Sequence, residues 1–370
     1  MEYGIMNDLI NWILTEGRLY KNVPELIHHL GLELQKKTRC TRIWLGTKVL
    51  HPQATGYTWI WENEEVEESI ISYVRYNQLE HIKSPALHLA TGLKEFRLKA
   101  PDNDSMPEVG KMFDRGFVDF FAHSIYFQGQ WSGGLTFASK ENFEEEHLEI
   151  FRAIVPALSA VVETHASNLV TSTLLETYLG ADAGRRVYLG QVKRGDGQTL
   201  RSVVWFSDIR GFTKMSERLP LAELLEVIND AFEEVVTAVE NHAGQVLKFI
   251  GDGVLAIFPC TNGDAEACNN ARAAALQLMS KLETVQIGVG LHLGEVNYGN
   301  IGAPQRLDFT VIGSDVNLAA RVESQTGKFG KSVLVTPQVA AFGEWESVAK
   351  VELKGVAEKV ELFAPIENEI

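Results

Sequence analysis

Three short apolar runs, two of them running into aspartate-bearing turns, set the frame for the C-terminal half of this chain. Val203-Val204-Trp205-Phe206 is β-branched and aromatic, the composition of a buried strand, and it ends in Ser207-Asp208-Ile209-Arg210-Gly211-Phe212-Thr213. Further on, Gln245-Val246-Leu247-Lys248-Phe249-Ile250 is a second such run, followed by Gly251-Asp252-Gly253 and a third, Val254-Leu255-Ala256-Ile257-Phe258. Runs joined at Asp-Gly predict a hairpin, because the tight primed turn needs positive φ. Asp252 then sits at a hairpin tip, with Asp208 just past the end of a strand able to lie beside it. Two carboxylates at neighbouring strand ends make a hard-oxygen site suited to Mg²⁺ and phosphates. Spacing alone allows a second reading with equal weight, that both are ordinary turn residues.

At 370 residues, of which 45% are hydrophobic, the chain is long enough for two domains with real cores. No stretch is expected to approach the roughly 18 apolar residues of a membrane span. Met1 to Asn7 lacks the basic-then-apolar pattern of a signal segment, so the expected location is cytoplasmic, without membrane. Cys40, Cys260 and Cys268 lack metal-ligand spacing and read as buried or free thiols. The net charge of −15 argues against nucleic acid as a partner. It also requires local Lys and Arg wherever a polyanionic substrate binds.

Leu9 to Leu34 has helical periodicity, divided by Gly17 and Pro24 into two helices. Thr41 to Leu45 and Tyr57 to Trp61 read as strands about the turn formers His51 to Gly56. Glu62 to Glu68 is an acidic run of the kind that covers a solvated surface. Pro101 to Pro107 is a polar loop, and Val118 to Phe127 with Gly134 to Ala138 frames a hairpin. This order of helix, strands, late hairpin and closing helix is similar to GAF-type sensor domains. Nothing among the Cys and His residues marks a chromophore or metal there. His28, His29, His81, His88 and His123 read as surface or satisfied core histidines. Trp44, Trp59, Trp61 and Trp131 suit a pocket lining or a packed core equally.

From Leu148 the apolar spacing alternates three and four, through Phe151, Val155, Leu158 and Val162 to Leu169. That is a heptad seam interrupted by Pro156, a residue that kinks or breaks a helix. The expected helix caps the N-terminal domain and pairs with its twin in a dimer. Gly180 to Gln198 is a Gly- and Arg-rich linker. Beyond it, Leu221 to Val239 and Ala265 to Leu282 predict helices. Ile287 to Leu293, Leu307 to Ile312, Val333 to Thr336, Val348 to Leu353 and Val360 to Phe363 predict strands, with Ser314 as the N-cap of a further helix.

Trp205 to Thr213, Lys248 to Gly253 and Asp308 to Arg321, taken together and in this order, resemble the catalytic domain of class III nucleotidyl cyclases. With the GAF-like order of the N-terminal half, this resemblance implies an α+β chain with a GAF-like sensor at 1–145, a helical dimerisation and transmission linker at 146–200 and a cyclase domain at 201–370. It implies that ATP is converted to 3′,5′-cyclic AMP and pyrophosphate across a homodimer interface under control of the sensor domain, which has a possible small-molecule ligand. Asp208, Asp252 and the Ile209 carbonyl would hold two Mg²⁺ or Mn²⁺ ions. Asn317 and Arg321, four apart on one helix face, would orient the ribose and stabilise the transition state. Lys354 would bind the terminal phosphates. Lys248 and Thr310 match the base-selecting positions: an ammonium donates to adenine, where guanylate cyclases carry an acid. Thr310, in place of aspartate, places the chain in the Thr-containing subclass and discriminates less sharply than a carboxylate. A guanylate or mixed-base cyclase and a non-catalytic nucleotide-binding module are the alternatives.

Overall fold

The computed structural model describes residues 2–51, 54–73, 84–101, 106–282 and 285–366. Pro52 and Gln53 of the expected turn, His81, and most of the loop at Pro101 to Pro107 fall outside them. The chain divides into two compact units, Met1–Leu174 and Leu175–Ile370.

In the first unit, α1 (Glu2–Thr15) and α2 (Val23–Thr38) lead into β1 (Arg42–His51), β2 (Ala54–Glu62) and β3 (Glu65–Ser72). Then come α3 (Pro85–Ala90), β4 (Glu95–Lys99), α4 (Pro107–Asp114), β5 (Asp119–Phe127), β6 (Gln130–Ser139) and α5 (Glu145–Leu179). Asn22 starts α2 by accepting from the Glu25 amide at 2.9 Å, with Pro24 in the first turn where its missing N–H costs nothing. The six strands form one antiparallel sheet in the order β3-β2-β1-β6-β5-β4. One face buries Ile43, Leu45, Trp59, Trp61, Leu135 and Phe137 against α1, α2 and α5. From Glu65 the acidic run is the edge strand β3, where charge keeps a second sheet from pairing.

Helix α5 runs through Pro156 unbroken. The pyrrolidine lies on the exposed side, while Leu148, Phe151, Val155, Leu158 and Val162 are all at most 3% exposed. Burying each such side chain contributes about 1.5–3 kcal/mol, which outweighs the ~3 kcal/mol cost of an interior proline. The heptad seam is therefore used inside the unit's own core and is not left free for a twin helix. By length and composition α5 would also suffice to cross a membrane, which the expectation of no such stretch missed.

In the second unit, α6 (Ala181–Tyr188) precedes β7 (Gly197–Ile209), α7 (Phe212–Ser216), α8 (Leu221–Asn241), β8 (Gln245–Ile250) and β9 (Gly253–Pro259). Next are α9 (Asp264–Lys281), β10 (Ile287–Ala303), β11 (Arg306–Ile312), α10 (Ser314–Glu323) and α11 (Thr326–Phe329). The unit ends with β12 (Val333–Val335), α12 (Pro337–Ala340), β13 (Trp345–Val351) and β14 (Val360–Pro365). Its sheet has eight strands in the order β13-β14-β12-β10-β7-β9-β8, with β11 folding back on the far half of β10. Only β10 with β12 is parallel among the pairings described.

Central β7 explains its own composition. Val203 and Trp205 enter the core under α8 and α9, and Val204 enters the opposite core. A strand covered on both faces reads as a continuous apolar run. The expected linker is not featureless, since α6 places Ala183 in that second core beside Val204 and Tyr298. Gly313, not Ser314, is the cap residue of α10; Ser314 is its first helical residue and bonds to Asp315.

Candidate active site

The β8–β9 hairpin closes where Ile250 pairs with Gly253, leaving Gly251 and Asp252 as a two-residue loop. Gly251 takes φ +63, so positive φ falls at the first loop position, as in a II′ turn, and not at Gly253. Gly253 is needed for a different reason. A Cβ there would come 2.8 Å from the Ser207 carbonyl, because Gly253 lies directly opposite Asp208 on β7. That register brings the two aspartates side by side. Partial burial, then the hydrogen bond and charge of Asp252, push the Asp208 carboxyl up to about 6, against an opposing backbone bond at Ile209. Two carboxylates set side by side are a hard-oxygen pair suited to a divalent cation.

A third carboxylate lies near, and sequence reasoning passed over it. Glu323 ends α10 two residues after Arg321 and turns toward the sheet. A Cβ on Gly288 would come 2.8 Å from its Oε1, and Gly288 is the β10 partner of Asp208. Burial first, then the charge of Asp208, push Glu323 up to about 7. The sequence signal was an acid on the inward face of the helix carrying Asn317 and Arg321.

The other expected residues gather into two further groups. Lys248 on β8 is ion-paired with Asp308 of β11. Asp308 is two residues from Thr310, which is 9% exposed and opposite Gly299. Asp308 was quoted only as the edge of a motif, yet it is the residue that holds Lys248. On α10, Asn317 is exposed, and the Arg321 guanidinium lies along the Lys354-Gly355 turn, 3.6 Å from a Cβ built on Gly355. Arg321 and Lys354 therefore share one locality. Among the described residues, no hydrogen bond or ion pair joins Lys248 or Arg321 to Asp208 or Asp252.

Helix α10 is fixed from below by a buried polar set. His292, 3% exposed on β10, has Nδ1 2.9 Å from Thr336 Oγ1 and Nε2 3.7 Å from Asp315. Asp315 in turn accepts from the Glu295 amide at 2.8 Å. Burial lowers the His292 pKa, with the Asp315 charge opposing.

Comparison with known proteins finds relatives for this unit. Residues 198–364 match the family model described as the adenylate and guanylate cyclase catalytic domain. An adenylate cyclase of Anabaena cylindrica is 32% identical over 161 residues, covering 40% of this chain and 32% of its own length. An uncharacterized protein of Mycobacterium tuberculosis is 36% identical over 182 residues, covering 46% of this chain and 33% of its own. The chain thus spans about a third of the length of these curated relatives. Among solved structures, the adenylyl cyclase CyaB from P. aeruginosa aligns at 26% identity and a TM-score of 0.41, covering 46% of this chain and 96% of that one. The guanylyl cyclase Cya2 aligns at 27% identity and 0.40, covering 45% and 92%. Over residues 198–364, then, the second unit matches the adenylate and guanylate cyclase catalytic domain.

Proposed function

We propose that the chain is an adenylate cyclase that forms 3′,5′-cyclic AMP and pyrophosphate from ATP at a site shared by two copies. The strand register that sets Asp208 beside Asp252, where burial and then the hydrogen bond and charge of Asp252 raise the Asp208 carboxyl, carries this reading. Their oxygens and the Ile209 carbonyl fit Mg²⁺ or Mn²⁺, two ions per site. Bound there, the ions supply acidity to the 3′-hydroxyl and charge neutralisation to the triphosphate.

The chain's own side chains do the positioning. The reaction forms the O3′–Pα bond as the bond from Pα to the leaving pyrophosphate breaks, so alignment and charge stabilisation dominate. Asn317 orients the ribose, Arg321 meets the charge growing at Pα, and Lys354 holds the terminal phosphates. Arg321 lying along the Lys354-Gly355 turn supports this division. Lys248 donates to an adenine ring nitrogen and the Thr310 hydroxyl accepts from its exocyclic amine. In a two-fold dimer, Asp208 and Asp252 of one chain would face Lys248, Thr310, Asn317 and Arg321 of the other. The first unit, with a GAF-like order of elements, regulates that site.

Asp308 favours a second reading. A carboxylate paired to Lys248 puts an acceptor beside the base-selecting position, which suits guanine's donors and a mixed-base enzyme. Purified protein incubated with each triphosphate and Mg²⁺ or Mn²⁺, with the product identified by mass, tests both readings. Cyclic AMP as the dominant product is expected. Comparable cyclic GMP moves the reading to a mixed-base cyclase, and no cyclic product from any triphosphate refutes catalysis.

A further inference from the structure

The sheet of the first unit has two faces: one is covered by α1, α2 and α5, and the other carries a smaller core of Leu89, Val109, Met112, Phe120, Ala122 and Ala138. The other, with α3 and α4, bounds a cavity of about 580 Å³, within the size range of small-molecule sites. Its floor is cleared by glycine. A Cβ on Gly46 would come 2.4 Å from the Trp44 ring, and one on Gly134 would come 2.7 Å from Leu89. Substituted, either position would force the cavity's walls to move.

The lining combines the apolar and aromatic Trp44, Trp131, Phe120 and Met112 with the charged Arg42, Lys48, Glu67, Glu108, Lys111 and Arg115. Trp131 carries a buried indole N–H with no hydrogen-bond partner among the described residues. A buried donor left unpaired carries an uncompensated desolvation penalty, which an acceptor supplied from outside would recover. The Lys48 ammonium stands 4.7 Å over the Trp131 ring. Arg42 and Arg115 share a single acid, Glu62. Lys48 and Lys111 have no salt bridge among the described residues. Among the described residues the cavity is lined by four cations and the two acids Glu67 and Glu108, with Glu62 held by the two arginines. In a chain whose net charge is −15, the two lysines form a local attraction for an anion.

We propose that this cavity binds a small planar aromatic anion, an aryl carboxylate, sulfonate or phosphate. The ring packs between Trp44 and Trp131, its acceptor takes the Trp131 indole N–H, and its charge meets Lys48 and Lys111. The site is separate from the carboxylate pair of the second unit and does not depend on what that pair catalyses.

The test uses the full chain and 8-anilinonaphthalene-1-sulfonate, an aryl sulfonate whose emission is fed by nearby tryptophan. Saturable binding of one equivalent is expected, undisturbed by saturating ATP. The double variant Lys48→Glu, Lys111→Glu should weaken it at least tenfold, about 1.4 kcal/mol. The neutral N-phenyl-1-naphthylamine should change by less than about twofold in the same variant, because its binding uses only the apolar wall. A displacement measurement needs no variant: naphthalene-1-sulfonate should compete at least tenfold better than neutral 1-naphthol. Equal competition by the two, displacement by ATP, or several weak equivalents of bound dye would each overturn the proposal.

Discussion

Asp119 and Asp208 are both aspartates near the end of a sheet strand, and they have opposite fates. Asp119 opens β5 fully buried. Its carboxylate receives Arg97 Nε at 2.9 Å and the Phe143 amide at 2.8 Å, while Arg97 also reaches the Phe143 carbonyl. Every oxygen is satisfied, and the set pins the chain entering α5, where Phe143 meets Phe151 edge-on and Phe137 stacks on Phe151 at 4.0 Å. Asp208 near the end of β7 is exposed and has another aspartate for a neighbour. One carboxylate is neutralised to hold a fold. The other faces a like charge, which costs stability, and in the proposed cyclase it would hold a cation.

The sharpest way to break that comparison is to remove each carboxylate. Asp208→Ala or Asp252→Ala should abolish cyclic nucleotide formation while thermal unfolding stays cooperative and does not fall, since a like-charge neighbour is gone. Asp119→Ala should instead destabilise the first unit by about 3–5 kcal/mol, because Arg97 is left without its partner. Normal turnover in either site variant, seen by product assay, would sink the metal assignment.

Complementation comes next in size. Asp208→Ala and Arg321→Ala are each expected to be inactive alone. In a mixed dimer one site is intact and the other doubly broken, so co-expressed equal amounts should recover about a quarter of wild-type activity. A mixture that stays inactive, although mixed dimers are shown to form, would place the site within one chain.

Base selection is a smaller effect. Lys248→Glu removes the donor to adenine and faces Asp308 with a like charge. The ATP:GTP preference in kcat/KM should fall at least tenfold, about 1.4 kcal/mol. An unchanged ratio would remove Lys248 from the base site.

The smallest effect compares the two units through their buried histidines. His123 has Nδ1 2.7 Å from the Ser124 carbonyl and Glu95 at 3.9 Å, and burial lowers its pKa, as it does for His292. A lowered folded pKa means that stability is fully present above the ordinary histidine value and is lost as pH falls through the folded value. Denaturant midpoints of the first unit should therefore decline below about pH 6.5, whereas in the second unit the raised carboxyls of Asp208 and Glu323 oppose the decline, and His292→Gln should lift the low-pH midpoint of that unit only. A low-pH midpoint unchanged by that substitution would show that His292 does not titrate with unfolding.

Much of the second unit was legible because its signals are local. The apolar run at Val203, the Gly251-Asp252-Gly253 turn and the helical spacing of Asn317 and Arg321 each report on a few neighbouring residues. The first unit was read less completely: α3, β4 and α4 are short and weakly patterned, and β3 looked like an acidic surface. Their pairing is decided by strands distant in sequence.

The sequence by itself determined where strands end and which polar residues stand at those ends, since turn chemistry and side-chain alternation are set within a few bonds. Only the tertiary structure decided who meets whom. It spent the seam from Leu148 to Val162 on the unit's own core, and it carried α5 through Pro156 because burial on both sides outweighed one lost hydrogen bond. It divided four tryptophans between roles, Trp59 and Trp61 into the core and Trp44 and Trp131 into the cavity wall. It also brought Asp308 to Lys248 and Glu323 beneath Asp208. These contacts span long stretches of chain, and no local preference encodes them. They follow from strand register and from which sheet face can exclude water.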